Sequence, residues 1–176
     1  MPHDDDSPAG RGDDLARAVQ RGRRSAAFLS DLAEILRDAD AAVAAEGPAC
    51  RACGECCHFN GFGHRLYVST GELALLSASR PRRPCRPGRC PYQVAARCTA
   101  RRRRGLGCRV FFCDPAWQER SGALYERFHG RIQRLHGRAR VPYHYVELTA
   151  ALAEPLADGP EDPARPGDAK TSSFLR

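Results

Sequence analysis

The sequence predicts a small, mainly α-helical domain in which two long helices flank an irregular, metal-organised, cysteine-rich centre with little regular β-structure. Three observations predict it. Apolar residues recur at helical spacing before Gly47 and again after Asp114. All nine cysteines of the 176-residue chain fall between Cys50 and Cys113. That same stretch is broken by proline, glycine and arginine, which suits loops and knuckles better than long elements. The length suits one domain with a modest core. Residues 1–12 and 158–176 are rich in Asp, Pro, Gly and Ser and are expected as tails, because they cannot bury enough apolar surface to offset ordering entropy. Residues 13–157 are then a single cysteine-cluster domain.

From Asp14 to Glu46 the positions Leu29, Leu32, Leu36, Ala39 and Val43, extended backwards by Leu15 and Val19, predict one long amphipathic helix stopped by Gly47-Pro48. After the first cysteines, residues 64–68 read as a short extended piece. Ser69-Thr70-Gly71-Glu72 has the form of a capping box, opening a helix that carries Leu73, Leu75 and Leu76. Residues 80–89 hold Pro81, Pro84, Pro87 and Gly88 and are expected to be irregular and exposed. Residues 90–98 and 107–113 read as knuckles or small strands. Asp114-Pro115 supplies an N-cap and a proline at the first helical position. Trp117, Leu124, Phe128, Ile132 and Leu135 then predict a second long helix running toward Gly137. Val141-Pro142 is expected to be extended, and residues 145–156 to form a last helix with Val146, Leu148 and Leu152 facing inward.

The formal net charge is +7, and residues 80–104 contain ten arginines and no acid. Such a run can attract phosphate, but Lys170 is the only lysine, so arginine bias accounts for much of it. Arg51, Arg86, Arg89, Arg97 and Arg109 each adjoin a cysteine, and cations beside thiolates offset their negative charge. Charge compensation is therefore favoured over a nucleic-acid surface. The sequence shows neither a secretory leader nor a membrane-spanning apolar run, so a cytoplasmic protein without a membrane partner is expected. Reducing cytosol keeps thiols available for metal, and an odd cysteine count sits poorly with a complete disulfide framework.

The first four cysteines read Cys50-Arg-Ala-Cys53-Gly-Glu-Cys56-Cys57. Two-residue gaps let thiolates converge through a tight turn, for which Gly54 supplies a positive φ or a close approach. Adjacent Cys56 and Cys57 have Cα atoms about 3.8 Å apart, too close for an unstrained disulfide. Adjacent thiolates also share one small ion poorly, which points to two sites or a polynuclear centre. Cys90, Cys98, Cys108 and Cys113 supply four more ligands, so eight thiolates fit two four-sulfur sites by count. Zinc and an iron–sulfur cluster both suit such ligation, and the ligand count does not separate them. Cys85 reads as a spare exposed thiol, with His58 and His64 as alternative ligands.

The run Cys50-x-x-Cys53-Gly-x-Cys56-Cys57, followed by Cys90-Pro-Tyr, Cys98 and Cys108-Arg-Val-Phe-Phe-Cys113, resembles the YkgJ-type cysteine-cluster family, described as a zinc- or iron-chelating domain. The resemblance covers residues 50–115 and departs from the family pattern at Gly105, where an arginine–proline pair precedes Leu-x-Cys-Arg. It implies that the eight cysteines are metal ligands. One branch is similar to flagellin lysine-N-methylases, which implies a second reading, a metal-dependent enzyme acting on lysine. No Gly-rich nucleotide fingerprint supports that reading, Gly61-Phe-Gly63 being only a glycine pair. A third reading is a zinc-knuckle nucleic-acid binder using the arginine loop. The first expectation is a metal-binding protein, with a structural, redox or chelating role.

Overall fold

The computed structural model describes residues 8–50, 53–61, 63–79, 81 and 84–153. They form a mainly helical structure with two small antiparallel sheets, as the apolar spacing predicts. Helix α1 (Pro8–Arg24) is followed at once by α2 (Ala26–Glu46), so the single long helix expected over 14–46 is two. The break is at Ser25, whose backbone is extended and whose hydroxyl accepts from the Phe28 amide at 3.3 Å, making it the N-cap of α2. The break divides the apolar stripe. Leu15 and Val19 enter one core, while Leu32, Leu36, Ala39 and Val43 enter another. Helix α1 also starts inside the segment expected as a tail; residues 1–7 and the expected tail 158–176 lie outside the described residues.

At the far end of α2, Gly47 takes the left-handed conformation (φ 62°) and its amide returns to the Val43 carbonyl, so the expected stop holds. Strand β1 (Tyr67–Ser69) leads into α3 (Thr70–Leu76) through a complete capping box, with the Ser69 hydroxyl accepting from the Glu72 amide and the Glu72 carboxylate accepting from the Ser69 amide. A hairpin follows, made of β2 (Gln93–Val94) and β3 (Arg97–Cys98). Residues 107–110 are not the small strand expected: they belong to helix α4 (Leu106–Val110). Two causes turn them helical. The Glu72 carboxylate accepts from the Leu106 amide at 2.6 Å, supplying a cap from another element, and Leu106 and Val110, one turn apart, are both buried.

Helix α5 (Pro115–Ala139) begins as expected, with the Asp114 carboxylate accepting from the Ala116 amide at 3.1 Å and proline in the first turn. Trp117, Phe128, Ile132 and Leu135 are buried along it, and Leu124 is partly so. The start of the expected final helix is instead strand β4 (Tyr145–Glu147), antiparallel to β1 with Val68 opposite Val146. Its ladder partner lies far away in sequence, which local periodicity does not reveal. Helix α6 (Leu148–Ala153) then starts on the Glu147 carboxylate, which accepts from the Thr149 and Ala150 amides at 3.0 and 2.7 Å. Residues 154–156 of the expected helix are outside the described set.

Packing separates into two cores. Helices α2, α4 and α5 bury Phe28, Leu32, Leu36, Leu106, Trp117 and Phe128 together, with no cysteine among them. The second core gathers α1, α3, β1 and α6 around Leu73, Val68 and Leu148, and it contains Cys90 and Tyr92, with Cys57, Cys98 and Cys108 packed against it. Each fully buried Leu, Ile or Phe contributes about 1.5–3 kcal/mol. Leu29, at the start of α2, packs against both cores. Among the described residues no helix is long and apolar enough to cross a membrane.

A hollow of about 490 Å³ lies at the end of α5 between Gln133, His136, Arg140 and Tyr143, and no cysteine lines it. His136 in its wall is committed to structure. One ring nitrogen meets the Val141 carbonyl at 3.0 Å and the other accepts from the Gly71 amide at 3.3 Å, while burial holds its pKa below the ordinary value.

Candidate metal centre

The first cysteine loop is set by its two ends. At one end the Ala49 amide donates to the Asp114 carboxylate at 3.4 Å, tying the chain beside Cys50 to the chain beside Cys113. At the other, Gly54 (φ 75°) starts a 3₁₀ turn over Glu55–Cys57 in which the Cys57 amide donates to the Gly54 carbonyl. Gly54 serves both purposes expected of it. A Cβ there would stand 2.5 Å from the Gln93 amide nitrogen and 2.7 Å from the Ala96 backbone. The close approach lets Gln93 Nε2 donate to the Gly54 carbonyl at 2.7 Å, clamping the loop onto the β2–β3 hairpin.

That hairpin carries Cys98 and follows directly on Cys90. The Cys90 amide donates to the Cys57 carbonyl at 3.0 Å, and the Thr99 amide and hydroxyl both donate to the Tyr92 carbonyl. Its two turn residues, Ala95 and Ala96, have φ of 46° and 62°, a left-handed pair that Asn-Gly adopts far more readily. Replacing Ala95→Asn and Ala96→Gly together is expected to stabilise the protein by about 1–2 kcal/mol. A urea midpoint that does not rise would show the turn to be unstrained.

Five thiols meet across these elements. Cys56 and Cys57 are hydrogen-bonded to each other and Cys57 also to Cys90, while Cys57, Cys98 and Cys108 lie within electrostatic reach of one another. The bond to Cys57, followed by burial, raises the Cys56 thiol well above its ordinary range. For Cys57 the bond with Cys56 pulls down, but the bond with Cys90 and burial outweigh it and push the thiol up to about 12. Burial, then the neighbouring Cys57 and Cys98, push Cys108 up to about 12 against the pull of Arg104. These groups are thus protonated at neutral pH, and any metal they take must displace protons.

Cys50, Cys53 and Cys113 are exposed. Among the described residues, no three Cys, His, Asp or Glu side chains already stand in ligand geometry around one point. The eight cysteines expected as ligands are therefore divided between an inner set at the cysteine-bearing core, with Cys90 buried and Cys57, Cys98 and Cys108 half-buried against it, and an exposed set, Cys50, Cys53 and Cys113, with Cys56 also half-buried. Cys85 is not the exposed spare thiol expected. It is half-buried, and its S–H donates to the Thr149 carbonyl at 3.2 Å, fastening the proline-rich loop to α6. His64 hydrogen-bonds the Cys56 backbone and stacks on Phe111 at 4.7 Å, and His58 faces Glu55 at 3.9 Å.

The arginines fall differently from the expected compensation by sequence neighbours. Arg86, Arg89 and Arg97 are exposed, and Arg51 lies outside the described residues. Arg109 is buried and turned away: its guanidinium pairs with Asp40 and donates to the Arg102 and Arg104 carbonyls at 2.9 Å each. Arg101, Arg102 and Arg103 form an exposed 3₁₀ turn. Among the described residues Arg109 still lies within electrostatic reach of Cys108, and Arg104 within reach of both Cys56 and Cys108. Together with Cys90, Cys98, Cys108 and Tyr92, Arg104 lines a small internal cavity of about 10 Å³, the room of one water.

Both Tyr92 and Arg104 escaped the sequence reading. The signals available were the Cys90-Pro-Tyr92 tripeptide and the last place in a four-arginine run before Cys108, neither of which reveals direction. Comparison with family models, with curated proteins and with solved structures finds no match.

Proposed function

We propose that this chain is a metal-binding protein of the YkgJ-like cysteine-cluster type, holding zinc or an iron–sulfur cluster through its thiolates. The observation that carries the reading is the approach of Cys57, Cys90, Cys98 and Cys108 from the 3₁₀ turn, the β2–β3 hairpin and α4, with three of these cysteines, Cys90, Cys98 and Cys108, lining one small cavity. A set of four sulfurs without a carboxylate ligand suits zinc or iron–sulfur and disfavours hard cations such as magnesium or calcium. Adjacent Cys56 and Cys57 divide between two centres in this reading. Cys57 joins Cys90, Cys98 and Cys108 in the inner set, and Cys56 joins the exposed Cys50, Cys53 and Cys113. Bound metal supplies either a structural cross-link or, as a cluster, one-electron redox capacity. A reducing compartment such as the cytosol keeps these ligands competent.

The test is anaerobic purification of the full chain followed by metal and sulfide analysis with absorption spectroscopy. Visible absorption with iron and sulfide, or colourless protein with stoichiometric zinc, is expected. A Cys90→Ser/Cys108→Ser variant is expected to lose at least one centre. Protein that carries neither element and takes up neither on reconstitution overturns the reading.

A further inference from the structure

Two of the residues that line the cavity beneath the hairpin, Tyr92 and Arg104, each carry a buried polar atom that the fold does not satisfy. Tyr92 is 1 % exposed, and its hydroxyl, together with Nε of Arg104, is buried without a hydrogen-bond partner among the described residues. An orphaned buried donor costs about 1–3 kcal/mol, so two in the wall of one cavity call for a common acceptor. The acceptors at hand are sulfurs. Cys90, Cys98 and Cys108 line the same cavity, Tyr92 lies within electrostatic reach of Cys90, Cys85 and Cys98, of which Cys85 already donates to the Thr149 carbonyl, and Arg104 lies within reach of Cys108. Protonated thiols are weak acceptors, whereas metal-bound thiolates are anionic and strong ones.

Four thiolates on one divalent ion leave a net charge of about −2, which a buried site cannot hold without compensation. Arg104 offsets one unit of it. Its terminal nitrogen lies 4.0 Å from Asp40, while its Nε is buried without a partner among the described residues.

We propose that Tyr92 Oη–H and Arg104 Nε–H are hydrogen-bond donors to thiolate sulfur of the inner set Cys57, Cys90, Cys98 and Cys108, and that they build this site for a net-anionic, four-thiolate metal centre. The inference rests on the metal-binding reading and deepens it by assigning two positioning residues that are not ligands. Donors of this kind orient the ligands and raise metal affinity, and their loss typically costs 10–100-fold.

The experiment titrates reduced, metal-free full-length protein with cobalt(II), following the cobalt–thiolate charge-transfer absorption and measuring affinity by chelator competition. Wild type is compared with Tyr92→Phe and Arg104→Gln. Each variant is expected to bind cobalt at least about tenfold more weakly, with a shifted charge-transfer band. Metal-free Tyr92→Phe is expected to melt at or above the wild-type temperature, because the change removes a hydroxyl that has no partner in that state. This opposition of metal-free stability and metal affinity is a readout that a purely structural role would not produce. If wild type binds cobalt through thiolates and Tyr92→Phe binds it equally tightly with an unshifted band, the donor assignment is overturned and the metal-binding reading stands. If wild type develops no cobalt–thiolate band at all, both fall.

Discussion

Replacing Glu72 with alanine is expected to destabilise the protein by about 3–5 kcal/mol, more than an ordinary capping substitution. A lost N-cap alone costs about 1 kcal/mol. Glu72 does more than cap. It is 2 % exposed, and its carboxylate accepts from the Ser69 amide at 2.7 Å, the Ser69 hydroxyl at 2.6 Å and the Leu106 amide at 2.6 Å. The first two bonds start α3 in the cysteine-bearing core. The third starts α4, whose Leu106 and Val110 belong to the cysteine-free core. Alanine strands two buried backbone donors at once, at about 1–3 kcal/mol each, and adds the loss of packing around the side chain. Close contact makes the strap specific: Gly105 lacks a Cβ where one would stand 2.9 Å from the Glu72 carboxylate. Glu72→Gln keeps one acceptor oxygen but sets its NH2 against either the Ser69 or the Leu106 amide, stranding one donor rather than two, so a smaller cost of about 1–3 kcal/mol is expected. Urea denaturation of both variants in the same metal state measures the difference. A cost for alanine below about 1 kcal/mol would show that the two cores are not coupled through this carboxylate.

Signals complete within a few residues were legible in the sequence. The Ser69-to-Glu72 box, the Asp114-Pro115 start and the Gly47 stop are each a local hydrogen-bonding pattern, and each stands where expected. The errors fall where a distant group decides. Helix α4 depends on a carboxylate from α3, and β4 depends on β1 as its ladder partner. Ser25 is a different case. Its capping chemistry is local, but a continuous apolar stripe on both sides concealed the break. The site divides in the same way. Gly54 and the cysteine spacing announce a loop that gathers thiols, because tight turns limit which residues serve. Arg104 inside and Arg103 outside, the latter donating to Ser79 at 3.2 Å, are adjacent and chemically identical, so only the packed structure distinguishes them. Arg109 adjoins Cys108 and yet serves Asp40, because sequence adjacency on a helix directs neighbouring side chains apart.

On the proposal that the thiols hold a metal, its removal from the reduced, metal-loaded protein is expected to loosen one core and spare the other. Among the described residues the cysteine-bearing loops are held by single hydrogen bonds between segments, such as Cys90 to Cys57, Gln93 to Gly54, Asn60 to Gly88 and Cys85 to Thr149, and by the short-range bonds Cys57 to Gly54 and Thr99 to Tyr92. A strained turn at Ala95 and Ala96 and the orphaned donors at Tyr92 and Arg104 work against them. With metal bound, the thiols become cross-links between the 3₁₀ turn, the hairpin and α4, and binding free energy becomes folding free energy. A ligand at a thousand times its Kd stabilises by about 4 kcal/mol. For a chain of this size, that lowers Tm by about 8–16 °C when the ligand is withdrawn. Helices α2 and α5 have an independent claim on stability, since Phe28, Leu32, Leu36, Trp117, Phe128 and Ile132 pack without any cysteine among them. Hydrogen exchange before and after chelation therefore should show protection lost at the Cys57, Cys90 and Thr99 amides and retained through the middles of α2 and α5. Uniform loss along both long helices would mean that the two cores open as one unit. Unchanged exchange at all three loop amides, with an unchanged Tm, would mean that metal contributes nothing to holding this region together.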